Sequence, residues 1–313
     1  MTTRRSVGNK LWRGMALLAL TMVCLSTWAC GKKEQTPAPG EVIETGTAAS
    51  ADGLSIYFTA QGDGQPALVF VHGWSCDGSY WSDQLAHFAK KYRVVAVDLA
   101  GHGQSGLERQ QWTMAAFAQD VKAVVEKLGL ERIVLIGHSM GGPVAVETAR
   151  LMPARVVGVI GIDTLQDMGL TMPPQQREAF VAPMRDNFSE AARNFVRQMF
   201  TEDADSNLVT RVAADMSSAP PEIAVPAFEE VLQHDLRPAL QEVKVPIHCI
   251  NNDFWPTNTE GNKALAASYE LTVMSNSGHF PFLERPEEFN RLLEEVIRGF
   301  TGDPAQDAPA GRE

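Results

Sequence analysis

A serine stands between two glycines in Ile136-Gly137-His138-Ser139-Met140-Gly141-Gly142. The apolar run Arg132-Ile133-Val134-Leu135-Ile136 leads into it, and the helical pattern Pro143-Val144-Ala145-Val146-Glu147 leads out. Ser139 therefore belongs to a sharp strand-to-helix turn, the setting of a nucleophile elbow. A side chain at 137 or 141 would collide with neighbouring backbone there, and glycine avoids the clash. A hydroxyl raised at a helix start can attack a carbonyl carbon, but serine is a poor nucleophile near neutral pH and needs an adjacent base. The backbone N–H of Met140, at the helix N-terminus, is suited to hold the charge that develops on an attacked carbonyl oxygen. Ordinary glycine-rich turns share this spacing. What decides is whether the chain also supplies a base, an acid and a second oxyanion donor.

The elements that would position such a group alternate regularly. Glu41–Thr45 and Leu54–Thr59 alternate like strands around the Asp52-Gly53 turn signal. Ala67–Val71 is a continuous apolar run, as expected of a strand buried on both faces, and it ends in His72-Gly73-Trp74. A helical stretch over 80–92, a second buried strand over 93–98 and a glycine-rich loop to Gly106 follow. The apolar period at 117, 121, 124, 125 and 128 predicts a helix over 113–128, closed by Gly129. After the elbow and its helix comes the strand Val156–Asp163. Apolar strands alternating with helices imply a mostly parallel, doubly wound α/β sheet.

The rhythm breaks after 164. Residues 165–240 are rich in Met, Phe, Gln and charge, with helical segments near 175–185, 189–201, 206–217 and 222–234. This reads as a helical cap inserted into a core made of 42–164 and 241–300. Strands resume at 243–250 and 270–274, an amphipathic helix covers 286–300, and 301–313 reads as a disordered tail.

Composition narrows the class. The 313 residues are 44% hydrophobic and 21% charged, an ordinary globular balance. The net charge of −11 argues against nucleic acid or an anionic surface as the main partner. Residues 1–30 carry four basic groups, an apolar run over 15–23 and Thr27-Trp28-Ala29-Cys30. That is an export signal, too short for a membrane span. Ala29-Cys30 resembles a bacterial lipoprotein box, which implies lipidation of Cys30 and membrane attachment through it. Residues 31–41, with Pro37, Pro39 and Gly40, read as a flexible tether. Plain cleavage and secretion, and an uncleaved anchor, are the alternatives. Cys76 and Cys249 are left for the folded part, on strands several places apart at ~4.8 Å per strand. Disulfide Cα separations lie below ~7 Å, so two free, buried thiols are expected.

Four motifs together resemble the α/β-hydrolase family over residues 42–300: His72-Gly73-Trp74, the D-x-x-G-H-G-x-S form of Asp98–Ser105, Gly137–Gly141, and Gly278-His279-Phe280. The resemblance implies a base at His279, 140 positions after Ser139, and a second oxyanion donor in the N–H of Trp74. It puts the acid after the seventh strand, where Ile250-Asn251-Asn252-Asp253-Phe254-Trp255-Pro256 offers Asp253. The loop departs from the family pattern: the glycine is absent and the proline comes one residue early. Asp163, after the sixth strand, is the rival acid. His72, His87, His102, His138, His234 and His248 are read as structural, and their spacings match no metal site.

The implied activity is hydrolysis of a carboxylic ester or similar small acyl compound through an acyl-enzyme, with no cofactor. Serine at the elbow disfavours dehalogenase and epoxide hydrolase chemistry, whose relatives carry aspartate there. Lactone opening, perhydrolysis, acyl transfer, peptide release and carbon–carbon hydrolysis use the same constellation. A non-catalytic ligand-binding module is the reading from another class.

Overall fold

The structure, a computed structural model, describes residues 43–302. The export signal expected over 1–30, the lipidation expected at Cys30, the expected 31–41 tether and all of the expected 301–313 tail except Thr301 and Gly302 lie outside these residues.

Eight strands form one sheet: β1 (Glu44–Ala49), β2 (Ser55–Gln61), β3 (Ala67–Val71), β4 (Val94–Val97), β5 (Ile133–His138), β6 (Val156–Ile162), β7 (Ile247–Asn251) and β8 (Tyr269–Val273). Their spatial order is β1-β2-β4-β3-β5-β6-β7-β8. The β1–β2 and β2–β4 pairs are antiparallel, and every other pair is parallel. All residues of β3, β4 and β5 are buried, which is why those strands read as unbroken apolar runs rather than alternating ones.

The helices are α1 (Ser82–Phe88), α2 (Met114–Lys127), α3 (Gly141–Leu151), α4 (Pro174–Asp186), α5 (Phe188–Arg197), α6 (Ser206–Met216), α7 (Pro221–Gln233), α8 (Arg237–Glu242), α9 (Thr259–Leu265), α10 (Pro281–Glu284) and α11 (Pro286–Thr301). Helices α2, α3, α8 and α9 form one contiguous layer, and α1 and α11 pack together as another. The cap helices α4 to α7 follow β6 and contact one another as α4–α7, α4–α5 and α5–α6.

Four boundaries differ from expectation. The first strand is 44–49, not 41–45, because the turn at Asp52-Gly53 is tight: Ser50 N–H donates to Leu54 O at 2.8 Å, and pairing begins at once with Ala49 opposite Ser55. The strand is masked in sequence by its small residues; at one of them, Gly46, a Cβ would lie 2.8 Å from the Phe58 ring. Helix α1 stops at Phe88, because the N–H groups of Lys91 and Tyr92 both turn back to Phe88 O. The seventh strand starts at Ile247 rather than 243, since Pro246 has no N–H to give a ladder. Residues 237–242 form α8, which packs on α3 of the core although the sequence assigns its start to the cap.

Among the described residues Cys76 and Cys249 are free and buried. Cys249 lies on β7, whereas Cys76 sits in the turn after β3 rather than on a strand.

Candidate active site

Parallel strands deliver the key side chains to one edge. His138 pairs with Ile162 across β5 and β6, so Ser139 and Asp163 are the next residues out on adjacent strand ends. Both turn sharply there, with φ of 50° at Ser139 and 43° at Asp163, a left-handed conformation that costs a non-glycine residue roughly 1–3 kcal/mol. Hydrogen bonds hold them: Ser139 N–H donates to Ile162 O at 3.1 Å, and Asp163 N–H to Ile250 O at 3.0 Å. The flanking glycines are obligatory. A Cβ on Gly137 would lie 2.1 Å from Gly141 O, and one on Gly141 2.4 Å from Val71 O.

The histidine of this site is His279, whose Nδ1 lies 2.5 Å from Asp163 Oδ2. Asp163 is 1% exposed, and its Oδ1 accepts the Asn252 N–H at 3.2 Å. Since the carboxylate can only accept, Nδ1 carries the proton and Nε2 is the basic nitrogen. This corrects the assignment of the acid to Asp253. Asn252 takes the inward position at the end of β7, and its Oδ1 accepts the N–H groups of Phe254 and Trp255. That turn sends Asp253 outward, where it is exposed and receives only a long contact of 3.4 Å from Asn276 N–H.

Sequence reasoning missed the residues that hold these groups. Thr164 Oγ1 donates to Ser139 O at 2.7 Å, and Asn251 clasps Thr164 through both its N–H and its carbonyl. His138 Nε2–H donates to His279 O at 2.8 Å, and the two rings sit 4.7 Å apart. The cap joins in as well, with Met199 O accepting the His279 N–H at 2.8 Å.

Ser139, His279, Asp163, Met140 and Trp74 line one cavity of about 840 Å³ between the strand ends and the cap. Its walls are mainly apolar, with Phe195, Met199, Met216 and Phe228 from the cap. The Trp74 ring packs 4.9 Å from Phe228, and its indole N–H donates to Ala224 O of α7 at 2.7 Å. Apart from Ser139, Asp163 and His279, the lining also carries polar side chains, among them Thr164, Gln166, Asp167, His234 and Asn258.

Three other histidines buttress the site from below. His72 Nδ1–H donates to Gly73 O, and its Nε2 accepts the Leu99 N–H. Burial lowers His72 to about 4 and His102 to about 3, and pushes His138 well below its ordinary value. The unfolded chain thus binds more protons than the folded one as pH falls below the ordinary histidine value of 6.5. Stability is full above that value and is lost toward the folded values of about 3 to 4. Between about pH 7 and about pH 5.5 the expected loss is roughly 1 kcal/mol per histidine. Denaturant unfolding at several pH values measures it, and a flat profile over that window would contradict neutral burial.

A family model described as the alpha/beta hydrolase family matches residues 68–292. The chain belongs to the alpha/beta hydrolase family. This hydrolase is 30% identical over 253 residues to the pimeloyl-[acyl-carrier protein] methyl ester esterase of Nitrosospira multiformis, covering 75% of this chain and 95% of that one. It is 27% identical over 242 residues to 3-oxoadipate enol-lactonase 2 of Acinetobacter baylyi, covering 75% and 90% respectively. Among solved structures, an enzyme described as degrading N-acyl homoserine lactones superposes with a TM-score of 0.70 at 26% identity, over 80% of this chain and 99% of that one.

Proposed function

We propose that this hydrolase is a serine esterase or lactonase that works through an acyl-enzyme. The observation that carries this reading is the 2.5 Å contact between Asp163 and His279, made beside a serine on a strained elbow in the same cavity. His279 Nε2 takes the Ser139 hydroxyl proton as Oγ attacks the carbonyl carbon. The resulting oxyanion accepts from the N–H groups of Met140 and Trp74, each worth about 3 kcal/mol to the transition state. Collapse expels the alkoxide, which leaves with the proton from His279, and Ser139 carries the acyl group. Water then attacks with His279 again as base; the acid departs and the serine regains its proton. In a lactone the alkoxide stays tethered to the acyl chain. Asp163 keeps the imidazole in the reactive tautomer and stabilises its charged form.

The apolar wall suits an uncharged acyl or alkyl portion, and the named activities of the relatives are a methyl ester and two lactones. A fluorophosphonate probe followed by intact mass measurement tests the nucleophile. The expected result is one adduct on the wild type, located to Ser139 by peptide mapping, and none on Ser139→Ala. Equal labelling of both proteins would sink the assignment.

A further inference from the structure

The peptide segment around His279 is held at every polar atom. Asn252 Nδ2 donates to Gly278 O at 2.9 Å, Met199 O accepts the His279 N–H, and His138 donates to His279 O. Two donors remain, the N–H groups of Gly278 and Phe280 on either side of His279. Both go to one side chain. Gly278 N–H donates to Glu284 Oε2 at 2.9 Å and Phe280 N–H to Glu284 Oε1 at 3.1 Å. Helix α10 makes this possible, since its single turn brings residue 284 back to Phe280, whose carbonyl accepts the N–H groups of Leu283 and Glu284.

A carboxylate is the one side-chain group that offers two acceptors in this span and no donor. An amide of the same shape can satisfy only one of the two peptides and must aim its own N–H groups at the other. We propose that Glu284 is a positioning residue for His279, fixing the peptides on both sides of it and favouring, through its negative charge, the imidazolium that forms when Ser139 gives up its proton. This rests on the serine-hydrolase reading above.

The surroundings are specific about charge. Facing His279 are the Asp163 carboxylate from the end of β6, the neutral His138 ring from the end of β5, the Trp255 ring at 5.4 Å and, from the cap, the Met199 carbonyl. On its outer side Glu284 borders a cleft with Asp203, Asp205 and Arg211 from the cap and its chain neighbour Arg285, two charges of each sign. Burial raises the Glu284 carboxyl above its ordinary value and the Asp163 charge adds to the rise, while the two N–H groups and the nearby His279 pull it back.

The test is Glu284→Gln, with steady-state kinetics on p-nitrophenyl acetate across the acid limb and fluorophosphonate labelling in parallel. The expected result is a kcat lower by about 10- to 100-fold with KM within about twofold, as for a group acting only in the transition state. The acid limb of kcat/KM should also move to lower pH, because a neutral amide no longer stabilises the imidazolium. A folded variant with an unchanged acid limb and kcat within about twofold overturns the proposal. Glu284→Asp keeps the charge and shortens the reach, so it should lose kcat while its acid limb stays near the wild type; it carries the test if the amide variant does not fold. A lowered limb in the Asp variant would overturn the charge assignment. Failure of the wild type to label at Ser139 strikes the serine-hydrolase reading itself, and is thereby distinguishable.

Discussion

Asp163→Asn should lower kcat about 10⁴-fold, whereas Asp253→Asn should stay within about twofold of the wild type. The asymmetry follows from what each carboxylate touches. Asp163 uses one oxygen on His279 Nδ1 and the other on the Asn252 N–H. An asparagine there can keep its oxygen for Asn252 only by turning its NH₂ toward His279. Nδ1 would then have to accept, which moves the imidazole proton to Nε2 and removes the base from Ser139. The loss of charge also removes the partner of the imidazolium. Asp253 is exposed and contacts no catalytic group, so removing its charge changes little. Rates on an activated ester, with circular dichroism to verify folding, make the comparison; a larger loss in Asp253→Asn would return the acid to the β7 loop.

Most of the sheet was readable because burial on both faces leaves a plain mark: four or five apolar residues in a row at β3, β4 and β5. The elbow was equally plain, since Gly137 and Gly141 are dictated by backbone collisions that no other residue escapes. The acid was harder for a definite reason. Residues 250–256 and 160–163 both end a buried strand with a carboxylate, and the choice between them depends on a side-chain turn, Asn252 capping two peptides, that leaves no periodic trace. One clue did exist. Ile136-Gly137-His138-Ser139 and Ile160-Gly161-Ile162-Asp163 share the same spacing, and the structure sets Gly137 opposite Gly161 in register. The supports of the site, Thr164, Asn251 and Glu284, were invisible because each works through backbone atoms, and sequence does not say which backbone atoms lie near.

A stability experiment tests whether the D-x-x-G-H-G-x-S loop, whose His102 is read as structural, depends on its buried anchor. Asp120→Ala is expected to cost about 3–5 kcal/mol of unfolding free energy, the usual consequence of stranding one half of a buried ion pair. Asp120 is fully buried, and Arg109 is almost so. The pair is two-pronged, with Arg109 Nη2 2.5 Å from Oδ1 and Nη1 2.9 Å from Oδ2. The same carboxylate accepts from Ser50 Oγ at 2.6 Å and from the Ala100 N–H at 3.1 Å. Alanine therefore leaves a guanidinium with only Asp52 to pair with, plus two donors without acceptors. The consequence should reach the cavity. Ala100 adjoins Leu99, whose N–H donates to His72 Nε2; the other ring nitrogen, Nδ1–H, donates to Gly73 O, next to the Trp74 peptide proposed for the oxyanion. Loosening this chain should lower kcat more than it raises KM, because the oxyanion exists only in the transition state. Urea unfolding and kinetics well below the transition temperature measure both parts. A cost under about 1 kcal/mol would show that the pair is not the anchor of the loop.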